Sequence, residues 1–210
     1  MKLKLPKKFA KLIVIQEHIR KISLFETIIS YLIDWRVRKA VNLKVWINKQ
    51  LDDEVLKEIL DEIIISNANP SNKIKVKKVL RFVHDKITYK TDKSVWNTNE
   101  KWQTPSETWE KKTGDCEDGA ILIYCLLNKM GVPDSQLRIV AGNVVGGGHA
   151  YTNWLSNEDG LEWALDWCYC YATSYKMITP YVQRKSYNYG LREWFSFNST
   201  ATYKNIVDKT

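Results

Sequence analysis

The feature that most constrains this 210-residue chain is an abrupt change of character around residue 120. Thr113-Gly-Asp-Cys-Glu-Asp-Gly-Ala120 is polar and acidic. Ile121-Leu-Ile-Tyr-Cys-Leu-Leu-Asn-Lys-Met130 continues it without a break and is largely apolar. Gly131-Val-Pro133 then ends the run, as glycine followed by proline commonly ends a helix. A segment that is apolar on most faces must be covered on most faces. The pattern therefore predicts a buried helix with Cys116 at its start. A thiol in that place meets the partial positive charge of a helix N-terminus, one of the conditions that favour a thiolate.

The chain beyond the helix supplies a base. Gln136–Ala141 and His149–Leu155 read as strands, Ser156-Asn-Glu-Asp-Gly160 has turn chemistry, and Leu161–Trp167 is extended again. Pairing around Asn157–Gly160 puts His149 opposite about position 167, within a residue of Asp166. A thiol attacks only as thiolate, so it needs a neighbour to take its proton. A carboxylate on the imidazole's second nitrogen then fixes tautomer and orientation. Cys116, His149 and Asp166 are thus the candidate nucleophile, base and orienting acid.

Asp115, Glu117 and Asp118 work against that thiolate, because nearby negative charge raises a thiol's pKa. They either cap the helix, a role natural to Asp115, or hold a cation. An oxyanion on the attacked carbonyl requires donors. The Cys116 backbone N–H is one candidate, and the side chains of Gln103 and Trp102 are others, with loop packing as their alternative. Gly146-Gly-Gly148 forms a loop that flanks a substrate, Gly148 standing nearest to His149. Seven of the nine tryptophans fall between Trp96 and Trp194. Of these, Trp109, Trp154, Trp163 and Trp167 either line a groove, with Trp154 and Trp167 as the substrate contacts, or pack as core.

Elsewhere the chain reads as helical. Apolar positions from Phe9 to Ile33 recur every three or four residues with Lys and Arg between them, as in an amphipathic helix. Val41, Leu43, Val45 and Ile47 alternate as a short strand would. Asp52-Asp53-Glu54 opens a helix through Ile65, and Ile74 to Ile87 forms another. The loop composition of Ser66–Asn72 separates a basic, mostly helical segment, residues 1–70, from a catalytic domain, residues 71–210.

The formal charge is +8, but the first fifty residues alone hold twelve Lys and Arg against three Asp and Glu. That charge reads either as a solvated helical face or as the seat of an anionic partner, and a nucleic-acid partner is not expected for the part that carries the chemistry. No stretch approaches the ~18 apolar residues of a membrane helix. Leu12–Ile15 is too short for a secretory core, so the sequence predicts a cytoplasmic protein with reduced thiols. His18 and His84, in charged helical surroundings, read as surface residues. With three histidines and a Cys168-Tyr-Cys170 spacing, a structural four-ligand zinc site is not expected.

Together, Trp102-Gln-Thr-Pro-Ser-Glu-Thr108, Gly114-Asp-Cys-Glu-Asp-Gly-Ala120, Gly148-His-Ala-Tyr151 and Leu165-Asp-Trp167 resemble the transglutaminase-like cysteine hydrolase superfamily, in particular its bacterial proteinase branch. The resemblance implies an α+β, papain-like core, with the cysteine heading a buried helix packed on an antiparallel sheet that carries histidine and aspartate. It implies acyl transfer from an amide through a thioester. Peptide or isopeptide hydrolysis of a protein substrate comes first, and a protein-glutamine transglutaminase, a deamidase or a catalytically silent binding module are the alternatives. No cofactor is required by that chemistry. The resemblance also implies calcium at Asp115 and Glu117, as in some bacterial members.

Overall fold

The computed structural model describes residues 42–63, 69–144, 147–169, 179–180 and 192–204. The amphipathic segment expected before residue 36, His18 and Cys170 lie outside them. Among the described residues no helix is long and apolar enough to cross a membrane.

Where the sequence alternates as a strand, the chain forms helix α1, Leu43–Leu51. Leu43 and Ile47, four apart, are fully buried, whereas Val45, which an inward-facing strand would also bury, is 50% exposed. A spacing of four outweighs a spacing of two here, and Asn42 caps the helix by accepting the Val45 N–H at 3.2 Å. The strand expectation is corrected. Helix α2, Val55–Glu62, begins after the acidic Asp52-Asp53-Glu54. Asp53 accepts the Val55 N–H at 3.1 Å and also the Ser106 N–H and hydroxyl at 3.0 and 2.5 Å, so one carboxylate fastens two helix starts.

Helix α3, Asn72–Lys86, buries Val76, Val79, Leu80 and Val83 along one face. Strand β1, Thr88–Tyr89, and helix α4, Asp92–Trp96, come next. Helix α5, Pro105–Lys111, is set by Thr104 and Glu107, which exchange backbone bonds at 3.2 and 2.9 Å. Strand β2, Thr113–Gly114, pairs in parallel with β1, placing Tyr89 against Gly114. Helix α6, Cys116–Lys129, is the buried helix that the sequence predicts. At about 1.5–3 kcal/mol for each aliphatic side chain taken out of water, the Ile121–Leu127 run anchors it firmly.

After a 3-10 turn at Asp134–Gln136 come β3, Leu137–Val144, β4, Gly147–Leu155, β5, Glu162–Leu165, β6, Thr179–Pro180, β7, Arg192–Phe197, and β8, Thr202–Lys204. Their order in the sheet is β6-β5-β4-β3-β7-β8, every neighbouring pair antiparallel. Helix α6 lies on this sheet: the Thr152 hydroxyl of β4 donates to the Ala120 carbonyl at 2.7 Å. Ile139, Trp154, Leu165 and Phe197 join its apolar flank in one core, to which Leu43, Ile47, Leu56 and Ile59 of α1 and α2 also belong. The helices before residue 63 and those from Asn72 onward thus share that core.

Because α1 buries Ile47, Ile47→Ala is expected to cost about 2–5 kcal/mol. Val45→Ala is expected to stay within about 0.5 kcal/mol of the parent. Urea denaturation of both variants checks this, and equal losses would argue for the alternating pattern instead.

Candidate active site

The site begins where β2 turns into α6. Asp115 is the N-cap residue, and Asp118, one turn in, reaches back to the Asp115 N–H at 3.1 Å. Asp118 also accepts the Gln103 backbone N–H at 2.8 Å and the Gln103 amide at 2.5 Å. That amide donates further to the Thr113 carbonyl at 3.2 Å. Gly114 lets this happen: a Cβ there would stand 2.7 Å from the Asp118 Cβ. Cys116 then rests on Ala141 and Ala150, small residues directly paired across β3 and β4, with Trp102, Cys168, Trp194 and Phe195 around them.

The thiol of Cys116 donates to Glu117 Oε2 at 2.9 Å. Burial, followed by the charges of Glu117 and Asp115, pushes its pKa well above the ordinary thiol value. The acids are themselves crowded. Oxygens of Asp92, Glu100 and Glu117 lie within 4.8 Å of one another, as do those of Asp92, Asp115 and Asp118. Burial and then Asp115 and Glu100 hold Glu117 well above the carboxylate range. Burial raises Glu100 to about 7, and burial with the Asp115 charge raises Asp118 to about 7.

A carboxyl that is raised in the folded state keeps a proton the unfolded chain has already released. Its contribution to stability is therefore present at acid pH and lost as pH climbs toward the folded value. In chelating buffer, Glu100→Gln is expected to gain stability over the parent between about pH 5 and pH 7.5. Denaturation across that range checks this, and a gap that does not widen with pH refutes it.

On the sheet side, His149 Nε2 and Asp166 Oδ2 are 2.8 Å apart and both residues are buried. Thr152 pairs with Leu165, a register that continues to position 168 opposite His149. The ladder stops at Leu165, however, and the chain turns through a 3-10 turn, Trp167–Tyr169, which brings the Asp166 carboxylate back to the imidazole. Cys168 N–H donates to Asp166 Oδ1 at 3.2 Å. Cys168 thus joins the two halves of the site: it packs on the Cys116 cluster, and its sulfur lies within 4.8 Å of ligand atoms of His149 and Asp166. Among the described residues, Cys116, Cys125 and Cys168 form no disulfide.

Two substrate-contact expectations are corrected. Trp154 is 1% exposed and donates to Gln136 Oε1 at 3.3 Å, and Trp167 is 2% exposed with its indole against Gly119 of α6. Both are core, because their side chains point at α6 and not at solvent. Trp109 is core as well, stacked on Phe82 and bonded to Glu58. The Trp102 indole donates to Glu100 Oε1 at 3.3 Å, and the Gln103 amide is engaged by Asp118 and Thr113. Gly148, expected in a loop, is instead the second residue of β4, paired with Asn143 beside His149, and is partly exposed.

Two further residues reach the site with no sequence signal to mark them. His84 Nδ1 bonds the Trp167 carbonyl at 3.2 Å, holding the turn that carries Asp166, so it is more than a surface residue. Tyr89, 51% exposed, stands 6.0 Å from the Trp167 ring. Its phenol is raised first by partial burial and then by the charges of Cys116 and Asp115. Each arrives through a pairing distant along the chain.

Residues 57–200 match the model of the family described as bacterial transglutaminase-like cysteine proteinase. The chain belongs to this family. It is a cysteine peptidase, and its substrate is a protein. Comparison with curated proteins gives no match. Among solved structures, the proteinase chain is similar to calcium-bound Legionella pneumophila LapG, with 24% identity, a TM-score of 0.54, and 77% of this chain and 87% of that one covered. EGTA-treated LapG from the same organism gives 23% identity, a TM-score of 0.55, and coverage of 80% and 88%. These likenesses show a shared fold.

Proposed function

We propose that Cys116 is the nucleophile, His149 the general base and acid, and Asp166 the group that holds the imidazole, in hydrolysis of a peptide or isopeptide bond. The buried 2.8 Å contact between His149 and Asp166 carries this reading. With Asp166 on Nε2, Nδ1 is the nitrogen that takes the thiol proton. The thiolate adds to the carbonyl carbon, and the oxyanion meets the N–H groups at the start of α6. His149 returns the proton to the leaving amine, and a thioester remains on Cys116. Water, deprotonated by the same imidazole, cleaves the thioester, releasing the acid and restoring the thiol. Gln103 is assigned a positioning role, because its amide secures Asp118 and thereby the helix start.

We further assign Asp92, Glu100, Asp115 and Glu117 as ligands for calcium. The donor set fits: mutually repelling carboxylate oxygens, buried at Asp92 and Glu117 and half-buried at Glu100 and Asp115, suit a hard cation, with backbone and water oxygens completing the six to eight it prefers. Asp118 is left out, its oxygens being committed to Gln103 and Asp115. A bound calcium supplies positive charge beside the thiol and so lowers the cost of a thiolate. LapG, whose fold this chain shares, has a calcium-bound form, which supports the assignment.

Cys116→Ala is expected to keep the fold and lose both proteolysis and capture of an acyl-donor probe. Asp166→Asn is expected to lose on the order of 10³–10⁴-fold in kcat. Proteolysis surviving in Cys116→Ala but lost in Cys168→Ser would transfer the nucleophile to the second thiol. A donor panel read with and without an added amine separates hydrolysis from transfer, and amine incorporation outrunning hydrolysis would overturn the peptidase ranking.

Calorimetry is expected to show calcium binding that Asp92→Asn and Glu117→Gln each weaken by about tenfold or more. Chelator should lower activity and added calcium restore it. A titration without heat or competition at any calcium concentration removes the ligand assignment.

A further inference from the structure

We propose that His149, Asp166 and Cys168 form a second metal site, one for a borderline-soft divalent cation, zinc above all. One nitrogen, one oxygen and one sulfur donor lie within 4.8 Å of one another. That mixed set is what zinc selects, whereas the acidic cluster at the start of α6 offers mainly the oxygens that suit calcium. Zinc bonds of about 2.0–2.3 Å in a tetrahedron separate donors by about 3.3–3.8 Å. The 2.8 Å contact between His149 and Asp166 therefore opens by roughly half an ångström.

The ligand-bearing turn is held in advance. Cys168 N–H orients Asp166 through Oδ1, His84 secures the Trp167 carbonyl, and the Trp167 indole is seated on Gly119. Such outer contacts fix ligand direction and strengthen binding. His149 and Asp166 are buried, whereas Cys168 is partly exposed. Three protein ligands leave a fourth position for water. On binding, the Cys168 thiol gives its proton to solvent, and His149 binds as neutral imidazole with its proton on the other ring nitrogen.

The site does not depend on the catalytic roles of Cys116 and His149. One consequence does rest on that reading: zinc seated here withdraws His149 from the Cys116 thiol, so occupancy inhibits proteolysis.

The test uses the full chain in excess calcium, which keeps the acidic cluster occupied, with Zn2+ followed by calorimetry and Co2+ by its thiolate charge-transfer absorption. Parent and Cys116→Ala are expected to bind one ion per chain and to show the absorption band. Cys168→Ser, folded by circular dichroism, is expected to lose the band and at least about tenfold in zinc affinity. A band retained in Cys168→Ser, a band lost in Cys116→Ala, or no zinc binding by the parent overturns the site. Residual proteolysis of the parent should fall in step with zinc occupancy. Stoichiometric binding through Cys168 without inhibition would leave the site standing and overturn both its inhibitory effect and the catalytic assignment of His149.

Discussion

Asp118 is the contact on which the rest of the site depends. Its carboxylate, buried one turn into α6, gathers the Asp115 N–H, the Gln103 N–H and the Gln103 amide. Two segments that precede the helix are thereby tied to its first turn, and Cys116 is left in one orientation on Ala141 and Ala150. The apolar run behind it fixes α6 against the sheet, and the Thr152–Ala120 bond sets its height on β4. Chemistry at the sulfur is held in place by a polar knot at one end of the helix and a dry core at the other.

That arrangement carries an electrostatic conflict. A nucleophilic thiol benefits from positive surroundings, yet Cys116 donates to Glu117 and stands among carboxyls pushed toward neutrality by burial and mutual repulsion. Crowded, buried acids are costly in isolation and favourable around a cation. The same residues that suppress the thiolate are thus those that a hard cation would convert into its support.

On the opposite flank, the end of β5 decides the geometry. Had the β4–β5 ladder continued, Cys168 would face His149 and Asp166 would fall beside Tyr151. By leaving the ladder after Leu165 and turning at Trp167, the chain gives His149 a carboxylate and a thiol together. His84 and Gly119, from two different helices, hold that turn. A second donor set beside the imidazole results from this turn alone.

The sequence by itself determined the buried helix, the cysteine at its head and the hairpin that carries His149 and leads to Asp166, while the turn that closes the two onto each other was not legible in it. The first three are encoded locally, by an apolar run with a stop signal or by alternation around a turn. Residues 41–47 mislead, because two apolar residues four apart satisfy a helix while their neighbours happen to alternate. Trp154 and Trp167 stay between groove and core at that level, since aromatic composition does not say which way a ring points. Only the tertiary structure decided the acidic cluster of Asp92, Glu100, Asp115 and Glu117, the approach of Tyr89, the anchoring by His84 and the meeting of Cys168 with His149. These contacts join residues far apart along the chain, and their geometry is set by how helices and strands pack, which no short-range pattern records.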